Sequence, residues 1–422
     1  PEAAPEAAPE AAPEAAPEAA PEAAPEATPE ATPEAAPEAT PEAAPEAAPE
    51  AAPEATPESP EASSLLNDTA RFLAGMAPLQ DPTLIELTKT PAWQTHAKSF
   101  DAAWAKLQEK QLAKVSNWAA THISKEHNAS SPVFYMFSGP DFIYANALFP
   151  KAATFVMCGM EPVGPTPDFS KIPANALGNG LQALRNSVDS VMSFSFFITK
   201  EMKTDFQGHA LTGTLPILSI FMARSGKTIT GIEHVSLDTE GNLSEVADEK
   251  NLAKSSAPGV RIRFLSEDSS TPQTLYFFST DISNGGLAKS GFTKFCNSFA
   301  PGNSFVKSAS YLMHKGHFSN IRTYLLENSS TLVQDDSGIP CSFFEPEKWT
   351  VQVHGSYPGP IPIFKNFHQS KLAELYRTSK PEPLDFGIGY RHRAGESTLM
   401  VATRRSDSTA NQAPSATELA RQ

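Results

Sequence analysis

Four short apolar runs in this chain end in groups that do chemistry. Val133–Phe137 is followed by Ser138, Gly139, Pro140 and Asp141, and Thr154–Cys158 by Gly159, Met160 and Glu161. Phe305–Met313 is followed by His314 and His317, and Thr331–Gln334 by Asp335, Asp336, Ser337 and Gly338. Charges in such places are costly to bury unless paired or solvated. Two imidazoles three residues apart, with paired carboxylates about 20 residues later, suit a divalent transition metal or zinc that activates a water. Without a metal, a carboxylate of raised pKa beside a histidine supplies an acid and a base. Asp141, Glu161, His314, His317, Asp335 and Asp336 are therefore the candidate catalytic residues. Ser138, Gly139 and Ser337 are the candidate ligand-binding residues. Each has a plainer reading too: helix caps for Asp141, His314 and His317, and a turn for Asp335–Gly338.

These residues meet only if the elements before them run side by side. A strand at 133–137, a helix at 142–149 and a strand at 154–158 make one compact βαβ unit. A strand at 305–313, a helical face of Phe318, Ile321 and Leu325, and a strand at 331–334 make a second. In an open sheet of such units, ligands bind beyond the carboxyl ends of the parallel strands. Between the units, residues 175–207 and 286–299 read as helical. Leu215–Ala223 and Thr228–Leu237 read as one antiparallel hairpin, and Val260–Phe264 with Gln273–Phe278 as another. Phe386–Arg393 and Ser397–Thr403 flank an Arg-Ala-Gly-Glu turn, a third hairpin signal. Residues 64–128 read as helical, with an amphipathic stretch carrying Trp93, Ala97, Phe100, Trp104, Leu107, Val115 and Trp118 on one face. Its three tryptophans are expected to pack the helix onto the domain. The fold class is mixed α/β: a sheet with parallel βαβ units plus antiparallel hairpins, in a domain at 132–405 preceded by a helical segment at 63–131.

The first 62 residues are of another kind. They repeat Pro-Glu-Ala-Ala and hold 16 of the 48 acidic residues but none of the 33 basic ones. The formal charge of −15 therefore belongs to this tail, since the rest carries 32 acids against 33 bases. A near-neutral domain excludes a strongly basic nucleic-acid footprint. Proline at every fourth position forbids a helix, and the segment has nothing to bury. It reads as a disordered spacer; at about 3.1 Å per residue in polyproline form, it reaches on the order of 180 Å. Spacers of this composition look like those of exported bacterial proteins, so a periplasmic or cell-envelope location is expected. The polar stretch 406–422 reads as a second disordered tail. No apolar run approaches the roughly 20 residues of a spanning helix, so no transmembrane segment is expected. Cys158, Cys296 and Cys341 are too scattered for a structural zinc site; each reads as a small buried hydrophobe, with one disulfide left open.

Two familiar motifs are decoys. Ser225-Gly226-Lys227-Thr228 has Phe221 where a phosphate loop needs its first glycine. Gly178-Asn179-Gly180-Leu181-Gln182-Ala183 fits GxGxxA but follows no strand, so it reads as a helix start. At Phe137–Phe142, Gly159–Gly164 and Gln334–Pro340 the chain resembles an uncharacterised family of bacterial proteins, over about residues 68–404. That resemblance implies no activity and points to the same strand ends. Three functions stay open: an envelope-tethered module binding a small-molecule or polymer ligand, a hydrolytic enzyme assisted by a divalent metal or not, and a structural or interaction protein. A methyltransferase-like Rossmann domain is a further alternative. Glu161 stands at the end of a second strand, where such folds keep the acid that binds a ribose, but the first loop offers only Gly139 before Pro140.

Overall fold

The computed structural model describes residues 59–123, 131–194, 211–247, 252, 255–267 and 269–405. The repeat before Ser59 and the stretch 406–422 lie outside the described residues. Helical structure begins at Pro60, two residues before the expected end of the repeat. Helix α1 (Pro60–Leu73) is capped by Ser59, whose side chain accepts from the Ala62 N–H, with proline at its first position. After α2 (Pro82–Leu87), the expected amphipathic helix runs from Pro91 to His122. It comprises α3 (Pro91–Leu107), a π-helical turn at Gln108–Leu112 and α4 (Ala113–His122). The wider turn rotates the later apolar positions back into line, so Val115 and Trp118 stay buried on the side of Phe100 and Leu107. Trp93 and Trp118 are core residues, whereas Trp104 is only half-buried at the margin.

Ten strands form one mixed sheet in the order β4-β3-β5-β6-β2-β1-β7-β8-β10-β9. They are β1 (Val133–Tyr135), β2 (Thr154–Gly159), β3 (Lys227–Leu237), β4 (Leu243–Glu245), β5 (Ala257–Ser266), β6 (Ser269–Ser279), β7 (Gly302–Val306), β8 (Ser329–Gln334), β9 (Trp349–Gly355) and β10 (Thr398–Arg404). The five central strands, β6-β2-β1-β7-β8, are all parallel. Antiparallel strands extend the sheet on both sides. Both expected βαβ units are present, with α5 (Phe142–Leu148) in the first and α10 (Ser319–Asn328) in the second.

Successive strand residues feed two separate cores, as the pleat requires. Val133, Tyr135, Phe155 and Met157 face one layer with α1, α3, α4, α5 and α6 (Ala174–Phe194). Phe134, Met136, Val156 and Cys158 face the other, with α8 (Asn284–Ser290), α9 (Phe292–Cys296), α10 and α11 (Ser370–Ser379). The central pair β1 and β2, buried on both faces, is accordingly apolar almost throughout, whereas β7 and β8 also bury Asn303, Ser304, Ser329, Thr331 and Gln334.

Several expected elements differ. Leu215–Ala223 is not a strand but most of helix α7 (Thr214–Arg224), and every residue from Thr214 to Ala223 is buried. A helix enclosed on all sides has no polar face, so its sequence carries no period. Strand β3 pairs with β5 instead. The Ser225–Thr228 segment is a helix-to-strand turn, with Lys227 Nζ donating to Ser266 Oγ. The strand expected at 305–313 stops at Val306. Residues 386–393 form a loop with one bridge, Ile388 to Arg391, and β10 pairs with β8 and β9. The helix expected at 286–299 is broken at Gly291, which takes φ 64°. All three cysteines are free and buried. Among the described residues no helix is long and apolar enough to cross a membrane.

Candidate functional site

Because β1, β2, β7 and β8 are parallel, their following loops leave one edge of the sheet. The loop after β1 turns at once: Phe137 takes φ 63°, and the N–H groups of Ser138 and Gly139 both donate to the Cys158 carbonyl at 3.0 and 3.2 Å. This stitches the β1 end to the β2 end. Asp141 then caps α5 and faces inward. Its Oδ2 accepts from the Tyr135 hydroxyl at 2.7 Å and pairs with Lys307 Nζ at 2.8 Å. Both side chains of that pair are only 2% exposed, and the ammonium lies 4.3 Å from the centre of the Tyr144 ring. Burial pushes the Asp141 carboxyl up, and Lys307 opposes it. The Tyr135 hydroxyl is raised by burial and by Asp141.

The loop after β7 is tied down from β8. Asp335 Oδ2 accepts the Ser308 N–H at 2.9 Å, and its Oδ1 accepts the N–H and hydroxyl of Ser337. Ser337 Oγ accepts the Ala309 N–H at 2.7 Å. Asp336 accepts from the Tyr311 hydroxyl. Gly389, at φ 65°, passes so close that a Cβ there would collide with Asp335 Oδ2. Burial raises the pKa of both carboxyls; Asp336, beside Asp335, reaches about 7.

Between these loops lies a cleft of two adjoining lobes. The larger, about 210 Å³, has walls of Met160, Ile282, Leu312 and Phe318. The smaller, about 110 Å³, is walled by Tyr135, Ser138, Asp141, Lys307 and Tyr390. Phe137, Gly139, Glu161, Ser308 and Ser310 line both. Glu161 is 3% exposed, yet its Oε2 accepts no hydrogen bond from the protein. That oxygen lies over Gly159, where any side chain would displace it. Ser308 Oγ is likewise buried without a partner. Five non-glycine residues among those described have left-handed φ, and four of them, Phe137, Ser308, Ser310 and Tyr311, sit in the loops after β1 and β7. Backbone strain of this kind persists where the surroundings enforce it, and it clusters at ligand sites.

The structure thus brings together four expected residues, Ser138, Gly139, Asp141 and Glu161, as cleft lining. It separates the others. Asp335, Asp336 and Ser337 reach the same edge but lie behind the β7 loop and line neither lobe. His314 and His317 line neither lobe, because the strand before them ends at Val306 and they sit instead in the short coils Leu312–His314 and Gly316–Phe318. The His314 ring packs on Tyr311 and Phe367, and burial lowers its pKa to about 4. His317 is exposed beside Phe318. Among the described residues no group of three or more His, Cys, Asp or Glu could hold a metal ion. Lys307, Ser308 and Tyr390 belong to the cleft and were not expected there. The break from Val306 to Lys307-Ser308 is a sequence signal for the first two; Tyr390 arrives from far along the chain with none.

No family model, no curated protein and no solved structure matches the chain.

Proposed function

We propose that the protein is a ligand-binding module, carried on a Pro-Glu-Ala spacer at a bacterial cell envelope, that takes a small ligand into the cleft beyond β1, β2 and β7. The observation that carries this reading is the Glu161 carboxylate oxygen, buried in the wall shared by both lobes and unpartnered. A buried acceptor left unsatisfied costs about 1–3 kcal/mol, more when charged, so a ligand that supplies the missing donor gains what the empty protein forgoes. The cleft's position supports the same reading, since sheets of this kind bind ligands outside the carboxyl ends of their parallel strands.

The hydrolytic reading has less support. Its histidines line neither lobe, and Asp335 and Asp336 are held by internal hydrogen bonds. A methyltransferase-like reading has the acid after β2 in its favour, but the Ser138 and Gly139 amides at the first loop are already bonded to Cys158.

The test is a thermal-shift and native mass-spectrometry screen of the purified chain against small polar metabolites. At least one should bind and raise the melting temperature, as a ligand selective for the native state must, and Glu161→Gln should remove that shift. A screen with no binder, together with no small molecule co-purifying from the native host, would sink the proposal.

A further inference from the structure

We infer that the ligand is a ribonucleoside, seated with its 2′,3′-diol on Glu161; this rests on the binding reading above. Along the sheet, β6-β2-β1-β7-β8 are the third, second, first, fourth and fifth of the parallel strands in chain order. This is the doubly wound order, whose direction of growth reverses between β1 and β7 and opens a nucleotide-sized crevice there. In that architecture the acid after the second strand meets the ribose hydroxyls. Glu161 occupies that place, two residues beyond β2, with Oε2 buried and unpartnered.

The surroundings narrow the chemistry. A carboxylate only accepts hydrogen bonds, so the ligand must present donors at that point, and a vicinal diol presents two. A simple cation would also satisfy that oxygen, by charge rather than by hydrogen bonding, but it would leave the larger lobe unfilled. That lobe is walled by Phe137, Met160, Ile282, Leu312 and Phe318, apolar surfaces suited to the faces of a base. The smaller lobe, which Glu161 also lines together with Asp141, Lys307 and Tyr390, receives a polar group on the 5′ carbon.

The same loops argue against a dinucleotide. A pyrophosphate needs a close, glycine-lined backbone with free N–H groups. Here the Ser138 and Gly139 amides bond to Cys158 and the next residue, Pro140, has none. Ser308 and Ala309 give their amides to Asp335 and Ser337. A nucleoside without a diphosphate is what remains.

Calorimetric titration of the full chain with adenosine, guanosine, cytidine and uridine, each beside its 2′,3′-dideoxy form, tests this. At least one ribonucleoside should bind, and its dideoxy form should bind about tenfold more weakly, a difference of about 1.4 kcal/mol. Glu161→Gln, checked for an unchanged melting temperature, should weaken the ribonucleoside by a similar factor and erase the difference between the two forms. Equal binding of ribose and dideoxy forms, or an unaffected Glu161→Gln variant, would overturn the diol contact. If no nucleoside binds while the metabolite screen yields another Glu161-dependent ligand, the nucleoside is wrong and the binding module stands. If the screen is also empty, both fall.

Discussion

Glu161 after β2 and Asp335 after β8 are almost equally buried, 3% and 2% exposed, and both leave the same edge of the sheet. Asp335 accepts from two backbone N–H groups and one hydroxyl, while Glu161 Oε2 accepts from none. The first carboxylate is scaffolding that fixes the β7 loop in its left-handed turn. The second is paid for by the fold without any internal return. A carboxylate at a strand end is therefore not a site by virtue of its place or its burial. What separates the two is whether the protein itself completes the hydrogen bonding. Asp141 is intermediate: it lines the cleft but is claimed by Lys307, Tyr135 and the first turn of α5.

The largest effect should come from that intermediate case. Lys307→Met leaves Asp141 buried without its cation, and breaking such a pair costs about 3–5 kcal/mol. Urea denaturation should show a loss of this size, partly restored by adding Asp141→Leu; a loss below 1 kcal/mol would mean that the pair is solvated. Asp335→Ala comes next, at about 3 kcal/mol, because it strips the acceptor from two buried N–H groups. If it proves as mild as a surface change, Asp335 is no more structural than Glu161 and the contrast collapses.

Asp336→Asn sharpens the contrast through pH. The folded protein holds the Asp336 proton up to about pH 7, whereas the ordinary aspartate value is 3.8. Over that window the unfolded chain has lost a proton that the native state keeps, so this group removes stability as pH rises. The variant lacks that loss. Its stability relative to the parent should grow from about pH 4 to 7, by at most about 1.4 kcal/mol per pH unit, and level off above. A difference that stays flat over that window would show Asp336 ionised throughout. Glu161→Gln should change stability by less than about 1 kcal/mol, because the protein donates no hydrogen bond to Oε2. Smallest of all is His317→Ala at an exposed position, within about 0.5 kcal/mol and without effect on ligand binding; a loss of binding would return the histidine to the site.

The sequence made the paired βαβ units legible because Ser138–Asp141 and Asp335–Gly338 punctuate apolar runs too short to be anything but strands. It also delivered one side of the cleft, Ser138, Gly139, Asp141 and Glu161. The other side was hidden by a single misreading: extending the β7 strand through Lys307 and Ser308 carried the strand end to His314. Helix α7 was hidden for another reason, since complete burial erases the period that distinguishes helix from strand. Strand β9 was not expected although its pattern was legible, since Trp349, Val351 and Val353 alternate with Thr350, Gln352 and His354 at the period of a half-exposed strand. Two of the three donors that satisfy Asp335 come from Ser337, within the turn that the sequence already shows, whereas the Ser308 N–H and the lack of any donor to Glu161 Oε2 have no local pattern.

The place of β10 has a consequence for how the molecule is made. It lies between β8 and β9 and bonds to both along their length, yet it follows both in the chain. During vectorial synthesis β8 waits with one edge unpaired, and β9 has no neighbour to join, until Thr398–Arg404 has emerged. An open edge of this kind is a template for wrong partners, and early domains normally begin folding before the rest is complete. A nascent chain stalled just short of Thr398 should therefore be a chaperone client and a ready protease substrate, and release of seven more residues should end both.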